Sequence, residues 1–268
     1  MIYTLDIPFD EYSSFMRGAA AAPKKIHEAF HSNSSNYFTE GRLDLKDHDF
    51  LKQAPELMLS SGETALKEIE TAVSKLLSNN NQVLSLGGDH AITYPILRAF
   101  SKRYAELTIL HIDAHSDLYD SFDGMRYSHA CPFARVMEER LATRLVQVGI
   151  RTLNKHQREQ AEKFGVEVIE MKNYDPTQIF EFEGPVYISL DMDAIDPAYA
   201  PGVSHHEPGG FTSREVITML QRMKASVVGA DIVEFNPGRD VGGITAMLAA
   251  KLYKELIDLM LRADHEIE

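Results

Sequence analysis

Two apolar runs end in acids, and that pairing narrows the possible folds more than any other feature of the chain. Thr108-Ile109-Leu110-His111-Ile112 leads into Asp113-Ala114-His115-Ser116-Asp117, and Val186-Tyr187-Ile188-Ser189-Leu190 leads into Asp191-Met192-Asp193. Runs this short and this apolar read as strands buried on both faces of a parallel sheet. In extended backbone, alternate side chains share a face, so Asp113, His115 and Asp117 are expected together, as are Asp191 and Asp193. Carboxylates gathered at neighbouring strand ends repel one another unless cations lie between them. A metal centre is expected, and with this many acids a two-metal one.

Similar runs recur at residues 2–5, 83–86, 145–148, 166–169 and 227–230, separated by helical patterns at 62–77, 92–104, 132–140, 155–164, 213–223 and 244–261. The alternation predicts an α/β fold, an open and mostly parallel sheet with helices on both faces. One domain over residues 1–268 accommodates it. Residues 19–22 read as a loop leading into a helix at Pro23, and Asn79-Asn80-Asn81 as a turn before a strand. Ligands of such folds gather beyond the carboxyl ends of the strands, where both acidic segments fall.

Composition serves mainly to exclude. A net charge of −13 argues against a nucleic-acid partner and suits a cationic small molecule. The single cysteine, Cys131, rules out an internal disulfide framework and fits a reducing compartment. The first residues lack the basic-then-apolar pattern of a signal peptide, and no apolar run approaches the ~20 residues of a membrane span. A cytoplasmic protein with no membrane partner is expected.

Further chemistry clusters around the two acidic segments. Gly87-Gly88-Asp89-His90 follows the run 83–86 and delivers His90 to the same sheet edge. Carboxylates and imidazoles without thiolate suit Mn(II) better than structural zinc. The charges of Asp113, Asp117, Asp191 and Asp193 balance two divalent ions, and water between such ions ionises near neutral pH. His111 is expected to be buried within its strand, outside the metal shell. His129, in Tyr127-Ser128-His129-Ala130-Cys131-Pro132, can shuttle protons. Glu234, after the last predicted strand, can pair with a planar cation. The loop 118–126 offers Asp120 and Asp123 as acids and Arg126 as a base for a substrate's charged groups. His205 and His206 are adjacent, so their side chains diverge, and both are assigned to the loop 200–210.

Gly87-Gly88-Asp89-His90, Asp113–Asp117 and the segment from Ser189 to Pro197 together resemble the three signatures of the ureohydrolases, the arginase, agmatinase and formimidoylglutamase superfamily. The resemblance implies a three-layer α/β/α fold with an eight-stranded parallel sheet and a binuclear manganese centre. By motif, His90, Asp113, Asp117 and Asp191 would hold one ion. His115, Asp113, Asp191 and Asp193 would hold the other, with Asp113 and Asp191 bridging. Glu234 matches the family's guanidinium-binding glutamate and His129 its proton-shuttle histidine. A homo-oligomer, trimer or hexamer, is implied in the same way. Segments 127–133, 200–210 and 231–237 are most similar to plant-type arginases and bacterial agmatinases. The stretch after Asp117 lacks the Asn- and Thr-rich pattern with which animal arginases hold the amino acid. The implied reaction is hydrolysis of a guanidino group to urea and an amine, on arginine first, agmatine next and guanidinobutyrate behind. Formimidoylglutamate cleavage and a metal-binding relative without turnover are the alternatives; the last has no use for Glu234 and His129.

Overall fold

Period-two alternation divides each central strand between two cores. In the run 108–112, Leu110 and Ile112 pack on one side and Ile109 on the other; in 186–190, Val186, Ile188 and Leu190 oppose Tyr187. Residues 1–46 and 48–265 are described by a computed structural model. Its strands are β1 (Ile2–Ile7), β2 (Leu51–Gln53), β3 (Gln82–Gly87), β4 (Thr108–Ile112), β5 (Arg144–Ile150), β6 (Glu167–Glu170), β7 (Glu181–Asp191) and β8 (Lys224–Val233). They form one sheet in the order β2-β1-β3-β8-β7-β4-β5-β6, parallel throughout.

The helices are α1 (Ala22–Phe30), α2 (Glu63–Leu77), α3 (Thr93–Ser101), α4 (Pro132–Glu138), α5 (Lys155–Phe164), α6 (Ser213–Arg222) and α7 (Ile244–His265). Ile26, Val216, Leu220, Leu256 and Ile257 bring α1, α6 and α7 onto one face. Ile69, Leu97, Phe133 and Ala161 bring α2 to α5 onto the other, which completes three layers. Local chemistry fixes several boundaries. Capping boxes start α5 (Asn154 with Gln157) and α6 (Thr212 with Glu215), and Gly165 ends α5 in a left-handed conformation at φ 67°. Residues 19–21, expected as open loop, form a 3₁₀ turn that runs into α1 with Pro23 in its first turn. Asn80 takes φ 59° in the expected turn before β3. Among the described residues, no helix is long and apolar enough to cross a membrane.

The order of strands positions the site. The chain lays down β1 to β3, skips across to β4, builds outward to β6, and returns to place β7 and β8 in the gap. Register aligns the carboxyl ends of these four: Leu86 lies beside Ile232, Ile232 beside Leu190, and Leu190 beside Ile112. Doubly wound sheets bind ligands where the strand order reverses.

Candidate active site

The four central strands each deliver polar side chains at the same edge. After β3, Gly88 passes so close to β1 that a Cβ on it would sit 1.7 Å from the Phe9 carbonyl oxygen, so only glycine fits. Asp89 then accepts from Tyr12 N (3.0 Å) and Ala91 N (3.1 Å), which turns His90 inward. The acidic segments converge by a different route from the one expected. β4 stops at Ile112 and β7 at Asp191, so strand alternation does not extend through either segment. Instead Asp113 accepts from His115 N (2.6 Å) and Asp191 from Asp193 N (2.7 Å), local turns that aim the carboxylates. Asp117 adopts φ 49° and Glu234 φ 63°. Left-handed backbone at a non-glycine residue costs on the order of 1–3 kcal/mol, and such strain concentrates at working sites.

His90 is fully buried, with Nδ1 3.2 Å from Asp113, 3.1 Å from Asp117 and 3.1 Å from Asp191. That nitrogen nevertheless makes no hydrogen bond of acceptable geometry. Its protonation can be read from the other side of the ring. Ser189 Oγ donates its only proton to Asp231 (2.7 Å), so it must accept from His90 Nε2–H (3.0 Å). A neutral His90 therefore points the Nδ1 lone pair into three carboxylates, which is repulsive unless positive charge lies among them. Burial opposes charging His90, yet those carboxylates raise its pKa well above the ordinary imidazole value. The donor set fits a hard divalent cation.

A second group lies alongside. His115 Nδ1 is 3.0 Å from Asp193 and 3.6 Å from Asp113, and the three residues offer ligand atoms within 4.8 Å of one another. His111 also clusters with His90 and Asp113. However, Gln147 Nε2, oriented by the Ser116 carbonyl (2.6 Å), donates to His111 Nδ1 (2.9 Å). His111 thus carries its proton on Nε2 and donates it to Asp113 (2.6 Å), orienting that carboxylate from behind.

Above these groups is a cavity of about 220 Å³. His115, Asp117, Asp191 and Asp193 line it, together with His129, Glu234, Ser14, Tyr119, Phe122, Thr152, His205 and Glu207. Glu234 Oε1 accepts from His90 N and His129 Nδ1, both 2.8 Å, and His129 Nε2 meets Ser14 Oγ at 2.7 Å. Burial works against charging His129, but Glu234, helped by Asp89 and Asp117, raises it to about 9. Cys131 lies outside the cavity lining, its thiol pushed up to about 12 by burial.

Asp120, Asp123 and Arg126, read from the sequence as substrate contacts, are not brought into the cavity. Arg126 pairs with Asp120 (3.3 Å) and Glu138, while the buried Arg135 donates to Asp120 O (2.7 Å) and Arg126 O (3.2 Å). Asp123-Gly124, at φ 49° and φ 77°, makes the two-residue turn between Phe122 and Met125. These residues shape the loop; Tyr119 and Phe122 are what it presents to the cavity. Conversely, His205, assigned from the sequence to the loop alone, and Glu207, not singled out there, both line the site. His206 turns away to Pro201 O (2.8 Å) and Arg239, leaving His205 to stand 5.7 Å from the His115 ring and 5.4 Å from the His129 ring.

Residues 2–258 match the Arginase family. The chain belongs to that family. It is similar to Arginase 1, mitochondrial, of Arabidopsis thaliana, at 44% identity over 94% of this chain and 79% of the relative. An agmatinase of Bacillus anthracis is 33% identical over 94% of this chain and 89% of its own length. In structure, an arginase from Medicago truncatula superposes with a TM-score of 0.93 at 41% identity, covering 97% of this chain and 87% of the other. As an arginase-family ureohydrolase, the chain carries the buried carboxylates and histidines at the sheet edge as its candidate metal-ligand groups.

Proposed function

We propose that the chain hydrolyses the guanidino group of arginine, with agmatine as the second substrate, releasing urea and an amine with the aid of two Mn(II) ions. The observation that carries this reading is the meeting of Glu234 and His129 in one cavity with His115, Asp117, Asp191 and Asp193, with His90 and Asp113 buried against those acids. Asp113 lies near both His90 (3.2 Å) and His115 (3.6 Å), Asp191 lies near His90 (3.1 Å), and with Asp117 and Asp193 they would hold the ions. When bound, the ions would supply water activated for attack near neutral pH. The protein's own groups do the rest. With Oε1 fixed by His129 and His90 N, Glu234 keeps Oε2 for the substrate's N–H groups, and charge-assisted bonds of this kind hold a planar cation. His129, kept protonated beside Glu234, holds a proton for the leaving amine nitrogen.

Identity favours arginine: 44% to the Arabidopsis arginase against 33% to the Bacillus agmatinase. The test is urea release with added Mn(II) from arginine, agmatine and 4-guanidinobutyrate, with formamide release from formimidoylglutamate measured alongside. Arginine is expected to give the highest kcat/KM. A tenfold preference for agmatine, about 1.4 kcal/mol in transition-state binding, would overturn the arginine assignment. No urea from any of the three guanidines would overturn the guanidino-hydrolase reading. A homo-oligomer is part of the proposal and light scattering tests it. A reducing compartment is supported by the one free cysteine; cytoplasm was expected, and the Arabidopsis relative is named mitochondrial.

A further inference from the structure

We infer that Glu207 receives the second positive charge of the substrate, the ammonium remote from the guanidinium, and so sets a preference for ammonium-bearing guanidines over guanidino acids. The inference rests on the guanidino-hydrolase reading and adds the substrate class to it. Among the acids lining the cavity, Asp117, Asp191 and Asp193 stand with the histidines of the metal-ligand groups, and Glu234 is bonded to His129. Glu207 is the remaining one. Its Oε1 is 3.5 Å from His115 Nε2, at the limit of a hydrogen bond, and its side chain is 36% exposed. It can therefore turn to a ligand at little cost.

The backbone beneath Glu207 is rigid. Its carbonyl accepts from Arg151 Nε (3.0 Å) and Nη2 (2.6 Å), and the same Nη2 donates to Asp193 O (2.7 Å). One guanidinium thereby ties the loop to the turn that carries Asp193. Two residues on, Gly209 N and Gly210 N donate to Asp196 (2.6 and 3.2 Å). A carboxylate on a fixed stem at the cavity wall, opposite no like-purposed base, is a receptor for a cation. Neither lysine nor arginine is among the lining residues described, so a far-end carboxylate with no ammonium beside it meets Glu207 without compensation. Arginine and agmatine both place an ammonium there, arginine's beside its own carboxylate; guanidinobutyrate places a carboxylate alone.

The test is Glu207→Gln in the whole 268-residue chain loaded with Mn(II), assayed with agmatine, arginine, 4-guanidinobutyrate and n-butylguanidine, which has no second charge. Relative to n-butylguanidine, kcat/KM for agmatine and arginine should fall about ten- to a hundredfold, the value of a charge-assisted hydrogen bond. On the same scale, guanidinobutyrate should gain. Glu207→Asp should retain part of the wild-type preference. If the ratios among the four substrates stay as in wild type, Glu207 is not the receptor. Equally, a fall in bound metal by elemental analysis would mean that it acts through His115, and the inference fails. If wild type releases urea from none of the four, the underlying hydrolase reading has failed instead.

Discussion

Replacing Asp231 by Asn probes how the metal-facing side of His90 is set. Asp231 is fully buried and accepts three hydroxyls, Ser189 at Oδ1 (2.7 Å) and Tyr187 and Thr93 at Oδ2 (2.8 and 2.9 Å). An amide offers one accepting end and one donating end. With its NH₂ turned to Tyr187 and Thr93, it leaves two buried hydroxyls without an acceptor, at about 1–3 kcal/mol each. Turned to Ser189, it satisfies the other two and donates to the serine, so this orientation is lower in energy. Ser189 must then send its own proton to His90 Nε2. The imidazole proton moves to Nδ1, and the nitrogen between Asp113, Asp117 and Asp191 is no longer a free lone pair. Metal affinity at that position should fall about 10- to 100-fold, the usual cost of losing an orienting partner, or about 1.4–2.8 kcal/mol. Equilibrium dialysis against graded Mn(II), followed by elemental analysis, reads this without relying on turnover. Wild-type affinity at both positions in Asp231→Asn would refute the relay.

Other expectations follow from the same geometry. Glu234→Gln should keep its metal content but lose about ten- to a hundredfold in kcat/KM, since a charged acceptor becomes neutral; normal turnover would remove Glu234 from the site. His129 is raised from the ordinary histidine range to about 9, so its proton is fully in place below that range and is lost as pH rises through about 9. The alkaline limb of kcat/KM should therefore fall near pH 9 and move to lower pH in Glu234→Gln; a limb that does not move would detach His129 from it. Cys131, buried and with its thiol pushed up to about 12, should react with iodoacetamide at pH 8 only after unfolding, and prompt labelling of the native protein would contradict that burial.

What could be read from the sequence, and what could not, divides along physical lines. Strands buried on both faces announce themselves as continuous apolar runs, which is why β3, β4 and the core of β7 stood out. β2 did not: Leu51-Lys52-Gln53 is three residues at a sheet edge, half-buried to exposed, with no pattern to detect. Residue types at strand ends pointed to the ligand groups, although the turns that converge them, and the left-handed backbone of Asp117 and Glu234, are set by tertiary contacts. The loop 118–126 shows a related limit, since its three charged residues do not line the cavity. Its charges suggested ligands, but the arginine that gathers them, Arg135, is hidden in the helix α4, where a sequence shows only one more base. In the pair His205-His206, divergence was predictable while the choice of which one faces inward was not; Pro201 O and Arg239 decide it.

The late return of β7 and β8 to the centre of the sheet has a consequence for biosynthesis. As a ribosome extends the chain from its N-terminus, β1, β3, β4 and β5 emerge first, and β3 and β4 have no direct pairing with each other. Their facing edges stay open until residues 181–233 have been made, and open edges of apolar strands invite pairing with other chains. Asp191 and Asp193 arrive with that segment and Glu234 directly after it, so the nascent chain closes its sheet and gathers its acids in a single late step. Pairings of such long sequence separation form slowly. Cotranslational folding of this chain is thus back-loaded, and its vulnerability to aggregation is concentrated in the interval before the eighth strand leaves the exit tunnel.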